Sequence, residues 1–416
     1  MQQQRLQKIV IFNSCLILVV GLFSMDMYNP SLPSMVAALG ISQATAKGLA
    51  VAYLCGFGIS QLFYGSLSDY YGRKPVILIS ILLAVCGNLL TSFASHGWEL
   101  LLYRLITGIG AGGCPVISRA ILRDTFSTKK SLANAFSIFA MSSQLSPGIA
   151  PVLGGVIQEH FSWRMNFVAL SLITFAVFLI LIISLPETHG KTSEKINMKS
   201  IRNYYFSLFR AHEFMLYGII SAVVFAYTIG YFTISPFVFQ QEFGLSPSLN
   251  GLLYVFYSLG IVLGSYSNKK FLLKKFRQES LVLYCSLIMV IASCGLYIVG
   301  NVASSLYAFL IITSLIAISC GISAPLLISL AILKFEKMAG AASAVQGTIK
   351  MLGTAITLFL LLKIHVDNIA AFAYTYLSIS LLLIVFTIVL FKGNTPAVIA
   401  VLKKPTLDSA NREVSG

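Results

Sequence analysis

The chain has 416 residues, of which 57% are hydrophobic and only 10% charged, with a formal net charge of +15. A soluble globular protein carries about 25% charged residues, so this composition excludes a soluble fold and points to an integral membrane protein. The positive excess follows membrane topology along the chain, which excludes nucleic acid as the reason for it.

A transmembrane helix needs about 20 mostly apolar residues. In chain order, apolar stretches run Ile9–Met35, Lys47–Leu67, Pro75–Ser95, Trp98–Ser118, Ser131–Gln158 and Trp163–Leu185. Six more follow at Glu213–Phe239, Asn250–Asn268, Glu279–Gly300, Ser304–Leu333, Ala339–Leu362 and Ile369–Phe391. Twelve membrane helices are therefore expected. With the N-terminus inside, the inner segments hold 24 of the 29 Lys and Arg residues. Lys47, Arg164 and Lys363 remain on the outer side, and Arg104 and Lys350 fall within spans. This is the positive-inside asymmetry, and it predicts that both termini are cytoplasmic. The first apolar stretch is too long for the core of a cleavable signal and reads as a signal anchor.

The sole long polar interruption runs from Leu185 to Glu213. It divides the chain into an N-terminal six-helix half (1–185), a cytoplasmic linker (186–212), a C-terminal six-helix half (213–391) and a polar cytoplasmic tail (392–416). Internal echoes favour duplication. Gly65-Ser66-Leu67-Ser68-Asp69 returns as Gly264-Ser265-Tyr266-Ser267-Asn268, and Ser118-Arg119-Ala120-Ile121-Leu122-Arg123 as Ser329-Leu330-Ala331-Ile332-Leu333-Lys334. Repeated halves with a site at their interface are a recurring transporter plan. The expected fold is therefore all-α, with twelve transmembrane helices in two pseudo-symmetric halves.

Polar groups inside the spans carry the chemistry. Asp26 lies in the first span, where a carboxylate costs about 3 kcal/mol, so it is expected to bind and release a proton or an ion. Arg104 lies six residues after Trp98, and it either couples to that acid or snorkels to the outer face. Lys350 sits too deep to snorkel easily. It reads as a cavity charge selecting anionic or polar ligands, as a counter-charge to Asp26, or as a lysine at a hydrated helix bend. Gln61, Gln144 and Gln346 are expected to face the bundle interior rather than lipid. Tyr227, Tyr231, Phe232, Tyr254 and Tyr257 either wall a substrate cavity or fill helix contacts and interfacial belts. The seven scattered cysteines, with no C-x-x-C pair, suggest neither disulfides nor a metal site. No metal or cofactor is expected. Gly108-x-Gly110-x-x-Gly113 matches a dinucleotide loop in form, but no strand precedes it. Intramembrane enzyme signatures such as H-E-x-x-H and G-x-S-x-G are absent, so no enzyme is expected.

The loop after the second span reads Gly65-Ser66-Leu67-Ser68-Asp69-Tyr70-Tyr71-Gly72-Arg73-Lys74. It resembles the major facilitator superfamily, whose corresponding loop follows G-x-L-x-D-x-x-G-R-K. The resemblance implies that Gly65 allows close helix packing. It also implies that Asp69 and Arg73, beside Gly72 and Lys74, latch the two halves in the outward-facing state. Arg104 with Gly108 resembles the family's R-x-x-x-G helix, whose buried arginine is linked to proton coupling. Ser146-Pro147-Gly148-Ile149-Ala150-Pro151-Val152-Leu153-Gly154-Gly155 is similar to the exporter motif G-P-x-x-G-P-x-x-G-G, with Ser146 and Ala150 in place of glycines. Prolines four apart share a helix face and bend it at one place.

Asp26-Met27-Tyr28-Asn29-Pro30-Ser31-Leu32-Pro33, Ser235-Pro236-Phe237-Val238-Phe239-Gln240 and Phe243-Gly244-Leu245-Ser246-Pro247 look like the Bcr/CflA branch of drug:proton antiporters. In that branch the first-helix aspartate faces the central cavity, here lined also by Tyr28 and Asn29, and is implicated in proton exchange. The resemblance implies a proton-coupled secondary transporter of a small organic molecule in the bacterial inner membrane, acting as a monomer by alternating access. Efflux by antiport is the expected direction. Proton-symport import of a siderophore or other solute is the alternative, and a transporter-like sensor a remote one.

Overall fold

The structure, a computed structural model, describes residues 2–189, 206–333, 335 and 339–392. Most of the expected linker and the tail from residue 393 lie outside the described residues. Twelve helices among them are long and apolar enough to cross a membrane. They are α1 Gln4–Leu39, α2 Gln43–Tyr71, α3 Arg73–Phe93, α4 Gly97–Thr125, α5 Lys129–His160 and α6 Trp163–Ser184 in the first half. The second half holds α7 His212–Glu242, α8 Pro247–Lys275, α9 Gln278–Val302, α10 Leu306–Leu333, α11 Ala342–Leu360 and α12 Ile369–Phe391.

Helix α1 is not continuous. Its α-helical part ends at Asp26, a short 3-10 turn spans Asn29–Ser31, and the helix resumes at Leu32–Leu39. Pro30 lacks the N–H that would carry the ladder through, and Pro33 suits the first turn of the new segment. Asp26 therefore stands at a break in the backbone, where freed polar groups need internal partners. Glycines let α2 and α4 pack backbone to backbone. A Cβ on Gly108 would overlap the carbonyl of Tyr53, and one on Gly56 that of Leu105. The Gly108–Gly113 stretch is thus helical packing, not a phosphate loop.

Two seams join the halves, α5 with α8 and α2 with α11. Each becomes the other when every helix is replaced by the one six places along, as a duplicated half predicts. Both seams are tight at the end remote from the basic loops. There Gln43 Nε2 donates to Val366 O at 3.0 Å, and Val366 N returns a bond to Gln43 Oε1 at 3.0 Å. Lys47 Nζ donates to Ile364 O, Gln240 Nε2 to Pro30 O at 2.7 Å, and Ser248 N to Glu159 Oε2 at 3.1 Å. A Cβ on Gly155 would collide with the carbonyl of Pro247.

The seams continue to mid-depth, where Ser258 Oγ donates to Pro147 O at 2.8 Å and Thr348 Oγ1 to Gly58 O at 3.0 Å. Beyond that depth, towards the basic loops, the bond that still crosses between described residues of the two halves runs from Arg119 Nη1 to Ser343 Oγ at 3.1 Å. The molecule is sealed at one end and parted at the other.

Candidate functional site

Asp26 is buried inside the N-terminal half, and its Oδ2 accepts a hydrogen bond from Ser146 Oγ at 2.7 Å. Ser146 stands at a glycine position of the α5 motif, so the replacement adds a donor where a glycine would offer none. Arg104, on α4, which packs against α1, is fully buried. Its guanidinium lies between the rings of Tyr28 and Tyr53, 4.4 and 4.5 Å from their centroids, with Phe167 at 6.0 Å. None of its three nitrogens finds a hydrogen-bond partner among the described residues. Snorkelling is therefore not its arrangement here. Stacked aromatic faces offset part of the burial cost through the ring quadrupole, about 2 kcal/mol when desolvated, but they do not neutralise the charge. Arg104 and Asp26 lie within electrostatic reach of each other without forming an ion pair.

The helix-5 motif supports this site mechanically. Gly154 packs so closely on the α1 break that a Cβ would overlap the Met27 carbonyl. Pro151 and Gly155 meet the start of α8, where Gly251 abuts the Pro151 carbonyl and Pro247 abuts Gly155. With Pro147 O accepting from Ser258, all four motif residues lie against α1 or along the seam with α8.

The other candidates divide by location. Asn29 is buried and donates weakly to Met25 O at 3.5 Å. Gln61 is buried against Gly347 of α11, with its Oε1 lacking a donor, and Gln346 Nε2 donates to Ser221 Oγ at 3.4 Å. Gln144, expected to face the interior, is exposed and bonded to its neighbour Ser143. It follows Ser143 on the parted side of α5, where no helix of the other half covers it. Tyr231, Phe232, Tyr254 and Tyr257 form one closed aromatic cluster, with Tyr231 and Tyr257 stacked at 4.1 Å. Tyr227 packs beside it on Tyr376 at 5.1 Å and shares a hydrogen bond with Ser380 at 2.7 Å. All five are buried in the core of the C-terminal half in this conformation. Lys350 lies half-buried near the middle of α11 with its ammonium 4.5 Å from the Phe225 ring centroid. Asp26 is not among its close neighbours.

The loop between α2 and α3 is a charged knot. Arg73 pairs with Asp69 and, at 2.8 Å, with Asp124 Oδ2 at the end of α4. Its Nη1 also donates to Ser68 Oγ at 2.8 Å. Glu187, just past α6, accepts from the backbone N–H of Arg73 at 2.9 Å and of Lys74 at 3.0 Å, capping the first turn of α3. Burial raises the Glu187 carboxyl, but the N–H groups of His189, Arg73, Lys74 and Thr188 outweigh it and hold the carboxyl below its ordinary value. Gly72 has φ +96°, and a Cβ there would also strike Glu187 Oε2 at 2.6 Å. Gly65 differs from expectation. The nearest atom to a Cβ there is Val116 Cγ1 of α4 at 3.8 Å, an ordinary contact. The described partners of Arg73 and Glu187 all belong to the N-terminal half, so in this conformation the knot ties α2, α3, α4 and α6 together.

Sequence reasoning missed Ser146, Asp124, Glu187 and Arg119. Asp69, Asp124 and Glu187 did leave a signal, since each falls at the basic-side end of an alternate helix. Arg119, counted from sequence with an inner loop, lies inside α4.

Residues 14–358 match the family model of the Major Facilitator Superfamily. The chain is similar to the multidrug resistance protein MdtL of Shewanella oneidensis, 29% identical over 83% of this chain and 86% of that protein. It is 26% identical to a bicyclomycin resistance protein homolog of Haemophilus influenzae, over 66% and 69% of the two chains. Among solved structures, a peptide transporter POT in complex with sulfate aligns with a TM-score of 0.76 at 13% identity, over 92% of this chain and 94% of that one. A D-xylose-proton symporter aligns with a TM-score of 0.70 at 14% identity, over 91% and 96%. The structural likenesses speak to the fold alone.

Proposed function

We propose that this chain, which belongs to the major facilitator superfamily, exports small organic molecules from the cytoplasm in exchange for protons. It is a multi-pass transporter of the inner membrane and not an enzyme. The relatives whose names state a function are drug-resistance proteins, which weighs for export over import. Neither of the two relatives named above has a siderophore in its name.

The observation that carries the coupling is Asp26, a carboxylate buried at a helix break, held by Ser146 and within reach of a stacked Arg104 that has no fixed partner. A carboxylate and a guanidinium poised apart can pair in one conformation and separate in the other, which links proton release to the turning of the bundle. With the basic loops cytoplasmic, the sealed end is the outer one and the conformation faces inward, where cargo for export would enter. The charged knot then joins the halves only when the basic end closes. Energetically one proton suffices. It yields about 2.3 kcal/mol per 100 mV and about 1.4 kcal/mol per pH unit, while a tenfold solute gradient costs about 1.4 kcal/mol.

The test is Asp26→Asn in proteoliposomes with an imposed pH gradient and a panel of solutes. The variant keeps the Ser146 bond and removes the titrating proton. The expected outcome is normal membrane insertion with no pH-driven flux. Wild-type flux by the variant rejects the assignment, and uptake into right-side-out vesicles under an acid exterior rejects the direction.

A further inference from the structure

The coupling site leaves two intramembrane cations unused. Arg119 lies in α4, six residues before its end, with Nε donating to Pro115 O at 2.6 Å and Nη1 to Ser343 Oγ at 3.1 Å. Ser343 and Lys350 are seven residues apart on α11, two turns along one face. Arg119 therefore touches the face that carries Lys350, two turns along α11 from the residue it bonds. Gly347 lies between them on that face, with the buried Gln61 amide directly against it. Gln61 Oε1 has no donor in its present orientation; a flipped amide would present N–H groups instead.

No described carboxylate compensates either cation. Asp26 is bonded to Ser146, Asp124 to Arg73, and the Lys350 ammonium lies over the Phe225 face. Each cation at membrane depth is costly to hold there. Neutral oxygens and an aromatic face reduce that cost without cancelling the charge. A guanidinium has five N–H donors and an ammonium three, and most of these remain unused here. Arg119 stands on the parted side of the α2–α11 seam, towards the basic loops, and Lys350 lies at mid-depth, two residues past the Thr348–Gly58 bond.

We propose that Arg119 and Lys350, with Gln61 beside them, form an anion-binding subsite, so that the cargo carries a carboxylate or a phosphate-like head and an apolar body that reaches Phe225. The inference deepens the export reading and rests on it. The head group bridges two helices of opposite halves, and so favours the conformation in which α4 and α11 meet across it. A lipid headgroup offers the same chemistry and has to be distinguished from a soluble cargo.

The experiment uses the purified full chain in detergent and follows thermal unfolding. Phenylphosphonate, benzyl alcohol and benzylamine share a ring and differ in charge, while inorganic phosphate and phosphatidylglycerol separate free from lipid anions. Phenylphosphonate is expected to stabilise saturably, with benzyl alcohol and benzylamine doing nothing. Arg119→Gln and Lys350→Gln each weaken its half-saturation by at least about tenfold, and Lys350→Arg restores it. Both Gln variants raise the melting temperature of the unliganded protein, an outcome that a misfolded variant would not give. Equal stabilisation by benzyl alcohol, or full affinity in the Gln variants, overturns the proposal. Displacement by phosphatidylglycerol but not by inorganic phosphate assigns the site to lipid and overturns the cargo. If pH-driven export of a neutral drug is lost in Asp26→Asn while phenylphosphonate fails to bind, the subsite falls and the export reading stands. Phenylphosphonate binding without pH-driven flux of any solute sinks the export reading and supports the subsite.

Discussion

The two halves share a fold but bury different chemistry. In the N-terminal half, Asp26 and Arg104 lie inside the bundle, and the α2–α3 loop ties four helices together through Asp69, Arg73, Asp124 and Glu187. In the C-terminal half, the equivalent motif ends in Asn268 where the first has Asp69. Asn268 Nδ2 makes a bond to Ile322 O at 3.3 Å, and the nearby pair Arg277–Glu279 is a loose contact at 3.8 Å. The interior there is a stack of tyrosines and phenylalanines. Charge networks respond to protonation, whereas aromatic packing does not. The first half is thus equipped to switch and the second to hold its shape while the first moves against it.

That contrast can be broken by experiment, and the largest effect should come from Arg104. Arg104→Lys keeps the charge but loses the planar group that fills the space between Tyr28 and Tyr53, so it is not a conservative change. We expect pH-driven transport to fall at least about tenfold with the protein still folded, measured in the same proteoliposomes as Asp26→Asn. Retained activity would show that stacking is unimportant. Next, Arg73→Gln strips the partner from two carboxylates and should cost about 3 kcal/mol, while Asn268→Ala removes one amide bond at about 1 kcal/mol. Equal drops in melting temperature would erase the asymmetry between the halves.

Smaller effects refine the picture. Tyr227→Phe deletes the hydroxyl bonded to Ser380 and should cost about 1 kcal/mol without altering the pH dependence of flux. A shifted pH profile would mean that the aromatic core takes part in coupling. The smallest effect belongs to Glu187. Its folded-state carboxyl sits below the ordinary value of 4.5. Its stabilisation is therefore complete above that value and is lost as pH falls through the lower folded one. Glu187→Gln should lower the melting temperature slightly at neutral pH, where the carboxylate contributes, and leave it nearly unchanged below the folded-state value, so that the acid limb flattens. An unaltered acid limb would remove Glu187 from the knot.

Twelve spans, their order and the burial of Asp26 were legible because hydropathy and isolated charges act over short windows of sequence. The α2–α3 motif was legible for the same reason, since its spacing is local. The partner of Asp26 was not, because Ser146 is 120 residues away and reads as a small substitute for glycine. The aromatic side chains were legible as a group. Whether they line a lumen or pack together depends on helix rotation, which composition leaves free, and here they pack together.

The chain alone determined that the protein spans a membrane, how many times, and that an acid stands inside the first span, because each unpaired charge or run of apolar residues carries its cost wherever the helices go. Only the tertiary structure decided that Arg119 reaches across the halves to the α11 face that carries Lys350, that Arg104 stacks without a salt bridge, and that one end is sealed. These depend on contacts between residues far apart in sequence, whose geometry is set by how glycines and prolines let the helices approach and bend.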